Sequence, residues 1–204
     1  MKGLVIKELL SVKNNARTFL VMLAFYGILF MFMEDSSFFL GVMVLTFSMQ
    51  IFTSFSYDEH YKWDKYALSL PVSRRDLVKS KYIFGVILIA SSSIVSYVLL
   101  VLLGNVPADS RPGLVAVSVA SSALLYIGII IPIVYKLGVE KGRIVMVAVF
   151  GLSFGSIMIL ANSGMAPPSE ETLIQWIRFL PAVALAVYLI SYHISVGIYQ
   201  RKEL

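Results

Sequence analysis

The sequence predicts an all-α integral membrane protein with six transmembrane helices, on three observations. Of its 204 residues, 58% are hydrophobic and only 14% charged, and the mean hydropathy is +0.84, far from the balance of a soluble domain. Every Asp, Glu, Lys and Arg falls outside six apolar stretches, at residues 18–33, 38–57, 82–103, 114–135, 144–165 and 179–200. Runs such as 98–103 and 127–133 are almost unbroken and lack the alternation of a barrel strand, so helices must satisfy the backbone. Together these describe a single transmembrane domain over 1–204.

Residues 1–17 carry Leu4, Val5, Leu9 and Val12 on one broad side and Lys2, Lys7, Lys13 and Arg17 for lipid headgroups, which predicts an N-terminal interfacial helix. Span 18–33 is the shortest, and Arg17 and Glu34 can snorkel at its ends. Met31, Phe32 and Met33 supply none of the small residues of a signal-peptide cleavage site, so this span is expected to remain as an anchor.

After span 38–57 comes the longest inner segment, 58–81, DEHYKWDKYALSLPVSRRDLVKSK. Its first part mixes Asp58, Glu59, Lys62, Asp64 and Lys65 with Tyr61, Trp63 and Tyr66, the blend of aromatic anchors and charge that suits a protein-binding surface. Leu70 and Pro71 break the pattern. Ser73 with Asp76 three positions on has the spacing of a capping box opening the helix that runs into span 82–103. A solvated loop at the membrane edge is the plainer alternative.

Pro132 is expected to kink span 114–135 or loosen its backbone bonding. Beyond span 144–165, Pro167 and Pro168 stop the helix, Ser169 can cap a new one, and Glu170 and Glu171 suit its positive end. With Leu173, Ile174, Trp176 and Ile177 as an apolar side, this predicts a short extracellular helix between spans five and six. A plain connector with a Trp at the membrane interface is the alternative.

Orientation follows from the basic residues. The segments 1–17, 58–81, 136–143 and 201–204 hold 15 of the 17 Lys and Arg, and the opposite loops hold 2, which places both termini in the cytoplasm. The net charge of +5 is thus a topology signal, and no nucleic-acid partner is expected.

Few chemistries remain. There is no cysteine, and His60 and His193 lack metal-ligand spacing, so no metal is expected. No phosphate-cradling G-x-x-x-x-G-K-[ST] loop occurs, and no charge lies mid-membrane as ion-coupled carriers usually require. Residues 151–155 spell G-x-S-x-G, so Ser153 with His193 raises an intramembrane serine protease. The same residues form G-x-x-x-G, by which membrane helices approach closely, and the other polar residues within spans, Gln50, Ser91, Ser92, Ser93, Ser96, Asn162 and His193, also suit helix packing.

Asp58-Glu59 followed by Trp63, then Leu70-Pro71-Val72-Ser73-Arg74-Arg75 and Lys79-Ser80-Lys81-Tyr82, resembles the loop of small ABC-2 type transporter permease subunits. The resemblance extends over the full chain, and within the group it is similar to Gram-positive peptide and phenol-soluble modulin exporter permeases. It implies a half-transporter in a bacterial cell membrane that dimerises with a copy or a paralogue and binds separate ABC ATPase subunits, where ATP and Mg would sit. It further implies that Asp58, Glu59, Tyr61, Trp63 and Asp64 form a cytoplasmic coupling helix between spans two and three. Spans two and five would line the substrate path, through Phe47, Gln50, Ile51, Ser54 and Phe55 and through Ser153, Phe154, Ile157 and Asn162. Aromatic and thinly polar surfaces suit an amphipathic or toxic peptide, with an antibiotic or lipid as alternatives, and the short outer loops favour export.

Overall fold

The computed structural model describes residues 2–14, 16–32, 37–67, 69–103, 112–163 and 170–202. Among the described residues the regular structure is entirely helical: α1 Lys2–Asn14, α2 Ala16–Phe32, α3 Ser37–Ser48, α4 Gln50–His60, α5 Trp63–Ala67, α6 Arg74–Leu103, α7 Pro112–Leu137, α8 Val139–Asn162 and α9 Glu170–Gln200. Three stretches are long and apolar enough to cross a membrane: Arg74–Leu99, Gly113–Leu137 and Ile174–Gln200.

The core is built where α7 and α9 pack along each other, with α6 and α3 against them. Ile127, Ile130, Ile131, Phe84, Met43 and Val44 are fully enclosed there. Two glycines set the spacing. A Cβ on Gly85 would stand 3.0 Å from the Tyr188 hydroxyl, and one on Gly128 would stand 3.4 Å from the Tyr188 ring, so both leave room for that tyrosine. The Tyr188 hydroxyl donates to the Tyr82 carbonyl at 2.7 Å, and the Tyr82 hydroxyl meets Ser191 at 2.6 Å and Ser195 at 2.8 Å. Helices α6 and α9 are thus pinned by buried hydroxyls, and Ser191 also donates to the Gly128 carbonyl on α7.

The stretch expected as one span over 38–57 is built from α3 and α4, which meet at Met49. Just before that joint, the Thr46 hydroxyl donates to the Val42 carbonyl and the Ser48 hydroxyl to the Val44 carbonyl, each at 2.7 Å. Such back-bonding bends a helix, and the Phe52 N–H reaches the Met49 carbonyl three residues back rather than four.

The short helix expected between spans five and six is not separate. Its described part, from Glu170, is the first turns of α9, which runs unbroken for 31 residues to Gln200. Arg178 interrupts the apolar run without interrupting the helix, and Pro181 costs one backbone bond, to the Ile177 carbonyl, without ending it. Pro132 likewise lies inside a continuous α7. Pro167, Pro168 and Ser169 lie outside the described residues.

Helix α1 is turned differently from its expected amphipathic reading. Leu4 and Glu8 are buried against α4 and α6, while Ile6, Leu9 and Leu10 are exposed. Lys7, expected among the headgroups, is instead drawn into ion pairs inside the protein. Facing away from the core, α2 exposes Leu20, Val21, Phe25 and Ile28, and α8 exposes Ile144, Val147, Leu152, Met158 and Ile159. Apolar faces of that extent suit lipid or another membrane helix.

Candidate functional site

Chemistry concentrates at one end of the bundle, where α1, the end of α4, α5, the start of α6, the α7–α8 turn and the end of α9 converge. Helix α4 continues past the expected span end to His60. Lys62 then adopts a left-handed conformation, with φ of 51°, and turns the chain into α5. The next helix starts as the spacing predicted: the Ser73 hydroxyl accepts the Asp76 N–H at 3.1 Å, and the Asp76 carboxylate takes the Ser73 N–H at 3.3 Å and the Ser73 hydroxyl at 2.8 Å.

Four charges and a hydroxyl form a ring beside this segment, buried at Glu8, Ser54, Asp58 and Lys81 and half-buried at Lys7. Lys81 on α6 donates to the Glu8 carboxylate at 3.0 Å, to the Ser54 hydroxyl and to Asp58, which uses all three of its protons. Lys7 pairs with Glu8 at 3.0 Å and with Asp58, and Ser54 donates to Glu8. Two ammonium groups alternate with two carboxylates, so the ring is neutral. Each ammonium also sits 4.7 Å from an aromatic centroid, Lys7 over Trp63 and Lys81 over Phe55. Burial by itself raises the pKa of the Glu8 carboxyl, but the Lys81 and Lys7 charges and the Ser54 hydroxyl outweigh it and hold the group below the ordinary carboxylate value.

The neighbouring carboxylates are held as well. Glu59 accepts the Val139 N–H at 3.3 Å, so it caps the positive start of α8. That start follows directly on Gly138, whose φ of 84° lets α7 turn into α8 without a loop. Asp64 accepts the Tyr199 hydroxyl at 2.9 Å and lies 3.6 Å from Lys202. Arg74 donates to the carbonyls of Tyr199, Gln200 and Lys202 at 2.9 to 3.2 Å and so closes the end of α9. A cavity of about 110 Å³ remains between these posts, walled by Phe55, Trp63, Tyr135 and Tyr199.

Of the five residues expected in the coupling helix, the three carboxylates are bonded within this chain, although Glu59 stays exposed. Asp58 enters the ring, Glu59 caps α8, and Asp64 holds the end of α9. Trp63 is half-buried under Lys7, and Tyr61 is exposed over 71% of its surface. Tyr66, at 60%, is exposed beside it in sequence. The segment thus keeps its carboxylates for its own chain and offers aromatic rings outward.

The expected substrate-path residues separate likewise. Ile51, Ser54 and Phe55 are buried within this chain, Ser54 in the ring and Phe55 edge-on to Tyr135 at 5.1 Å. Phe47 and Gln50 are half-buried, and Asn162 is exposed at the end of α8. Ser153, Phe154 and Ile157 lie on α8, and their side chains are outside the described residues. His193 is exposed on α9, while α8 packs on α7 and α4. Lys7, Glu8 and Lys81 are the partners that sequence reasoning missed. A Glu amid the apolar residues of α1 is the one local sign of them.

Comparison with known proteins adds one finding: residues 3–200 match the family described as ABC-2 family transporter protein. No curated protein and no solved structure is significantly similar to the chain.

Proposed function

The chain belongs to the ABC-2 transporter family, and from that membership we propose that it is the permease half of an ATP-driven exporter, energised by separate ABC ATPase subunits. The observation that carries the reading is the segment from the end of α4 through α5, held by Asp58, Glu59 and Asp64 at one end of the bundle with Tyr61 and Tyr66 facing out. A segment posted rigidly on the spans and presenting aromatic rings is suited to receive a partner and pass on its movement. Trp63 and the three carboxylates are then the inner part of the coupling element, and Tyr61 and Tyr66 the outer part. ATP and Mg belong to the partner.

Helices α2, α3 with α4, α6, α7, α8 and α9 serve as the six spans, with α1 at the membrane interface. Both termini lie on the cytoplasmic side. Contact of Lys7 with Asp58 and of Tyr199 with Asp64 supports this, since it gathers the first helix, the coupling segment and the end of the last helix at one face, the face that is rich in Lys and Arg. The permease pairs with a copy or a paralogue, and the substrate crosses between the two. Within such a path, Phe47, Gln50 and Asn162 line the way on spans two and five together with Ser153, Phe154 and Ile157, while Ile51, Ser54 and Phe55 support it from behind. Broad apolar faces on α2 and α8 favour an amphipathic or toxic peptide over a small ion, with an antibiotic or a lipid as the competing cargo.

Copurification from the native membrane tests the reading. The expected result is an ABC ATPase bound to this chain, hydrolysing ATP faster when amphipathic peptide is added. Recovery of the chain with no ATPase in several mild detergents would count against it.

A further inference from the structure

The ring joins three elements that are far apart in sequence: α1 through Lys7 and Glu8, α4 through Ser54 and Asp58, and α6 through Lys81. A single hydrogen bond lets one helix swing on another. A closed ring of charges, three of them buried, does not, because moving one member strands another without a counter-charge. Trp63 extends the ring to α5 through the Lys7 ammonium. Helix α1 is followed by α2 after a single intervening residue, so the ring connects the α5 segment to the first span as well as the third.

We propose that this ring is a clasp that makes α1, the inner end of α4 and the start of α6 one rigid body, so that a push on α5 reaches the first span through α1 and the third through Lys81. Glu8 and Lys81 are positioning residues in that body. The proposal rests on the permease reading for the source of the push, but the rigidity of the body can be tested without it.

Spin labels on cysteines at the exposed positions Lys13 of α1 and Lys79 of α6 report that rigidity, and the chain has no cysteine of its own to interfere. In the lone permease the clasp requires one narrow distance distribution, and in the ATPase complex the same distance with and without ATP. A broad or divided distribution in the permease, or a shift on ATP binding, would overturn it. The second arm is Glu8→Cys with Lys81→Cys, which removes one charge of each sign and leaves Lys7 paired with Asp58. Transport per ATP hydrolysed is expected to fall about tenfold with the ATPase still bound, and to return when a short bifunctional thiol reagent bridges the two cysteines. Unchanged transport in the reduced variant, or loss of transport on bridging, contradicts the clasp. Should no ATPase accompany the wild-type protein, the permease reading fails by itself, and the label distance in the lone chain still decides the rigid body.

Discussion

Lys81 and Glu8, 73 positions apart in the chain, meet at 3.0 Å with side chains only 5% and 2% exposed. Removing one member leaves the other charged and buried, which is far costlier than removing both. Glu8→Gln is expected to destabilise the protein by about 3 kcal/mol. Glu8→Leu with Lys81→Met, which keeps Lys7 on Asp58, should cost less than either single change. Thermal unfolding in detergent compares the three variants.

The same carboxylate sets a pH dependence. Its pKa in the folded protein lies below the ordinary value of 4.5, so folding favours the ionised form. The stability gained is complete above that ordinary value and is lost as pH falls through the lower folded value. Unfolding midpoints between roughly pH 3 and pH 7 should therefore drop on the acid side in the wild type and drop less in Glu8→Gln. Parallel acid limbs in the two proteins would mean that Glu8 is not the group responsible.

Three glycines separate contacts within the chain from contacts between chains. A Cβ on Gly142 would stand 2.8 Å from Val134 and 3.5 Å from Phe52, where α8 closes on α7 and α4. Gly142→Ala should cost about 1 to 3 kcal/mol. At Gly151 and Gly155 a Cβ meets no described atom within 4 Å, so alanine there should leave the melting of the monomer unchanged. Gly151→Leu is expected to act on assembly alone, read as a loss of dimer in crosslinking.

The crossing stretches of α6, α7 and α9 were legible because lipid permits so few solutions: apolar runs of sufficient length, charges between them, and a helix wherever backbone must cross. The capping pair Ser73 and Asp76 was legible because both ends of the interaction lie three residues apart. The ring was not, because its bonds join residues 46, 51 and 73 positions apart, and no local pattern records such a meeting. Asp58, Glu59 and Asp64 were expected in the coupling helix, but composition does not say which way a carboxylate turns. Arg178 misled for a related reason: a charge ends an apolar window but does not end a helix.

Cysteine labelling tests the orientation. Single cysteines at Ser37, Ser110 and Ser169 should react with an impermeant thiol reagent from outside intact cells, and those at Ser73, Lys136 and Lys141 should not. The last two replace cationic residues flanking the α7–α8 turn and avoid Gly138, whose positive φ disfavours a side chain. External labelling at Ser73 would reverse the topology and remove the coupling segment from the side where an ATPase works.

The outward face of the coupling segment gives the last prediction. If the carboxylates Asp58, Glu59 and Asp64 serve this chain, their substitution should weaken the fold of the segment before it weakens any partner contact. Glu59→Gln, which keeps an acceptor for the Val139 N–H, should be milder than Glu59→Lys, which places a positive charge at the positive end of α8. Tyr61 and Tyr66 are the opposite case. They bury little in this chain, so Tyr61→Ala with Tyr66→Ala should leave unfolding near the wild-type midpoint while weakening ATPase association by about 2 kcal/mol or more. Titration of the reconstituted permease with its copurified ATPase measures this directly. Wild-type affinity in the double variant, together with lost affinity in Asp64→Asn at unchanged stability, would return the contact to the carboxylates and leave the tyrosines as residues at the membrane edge.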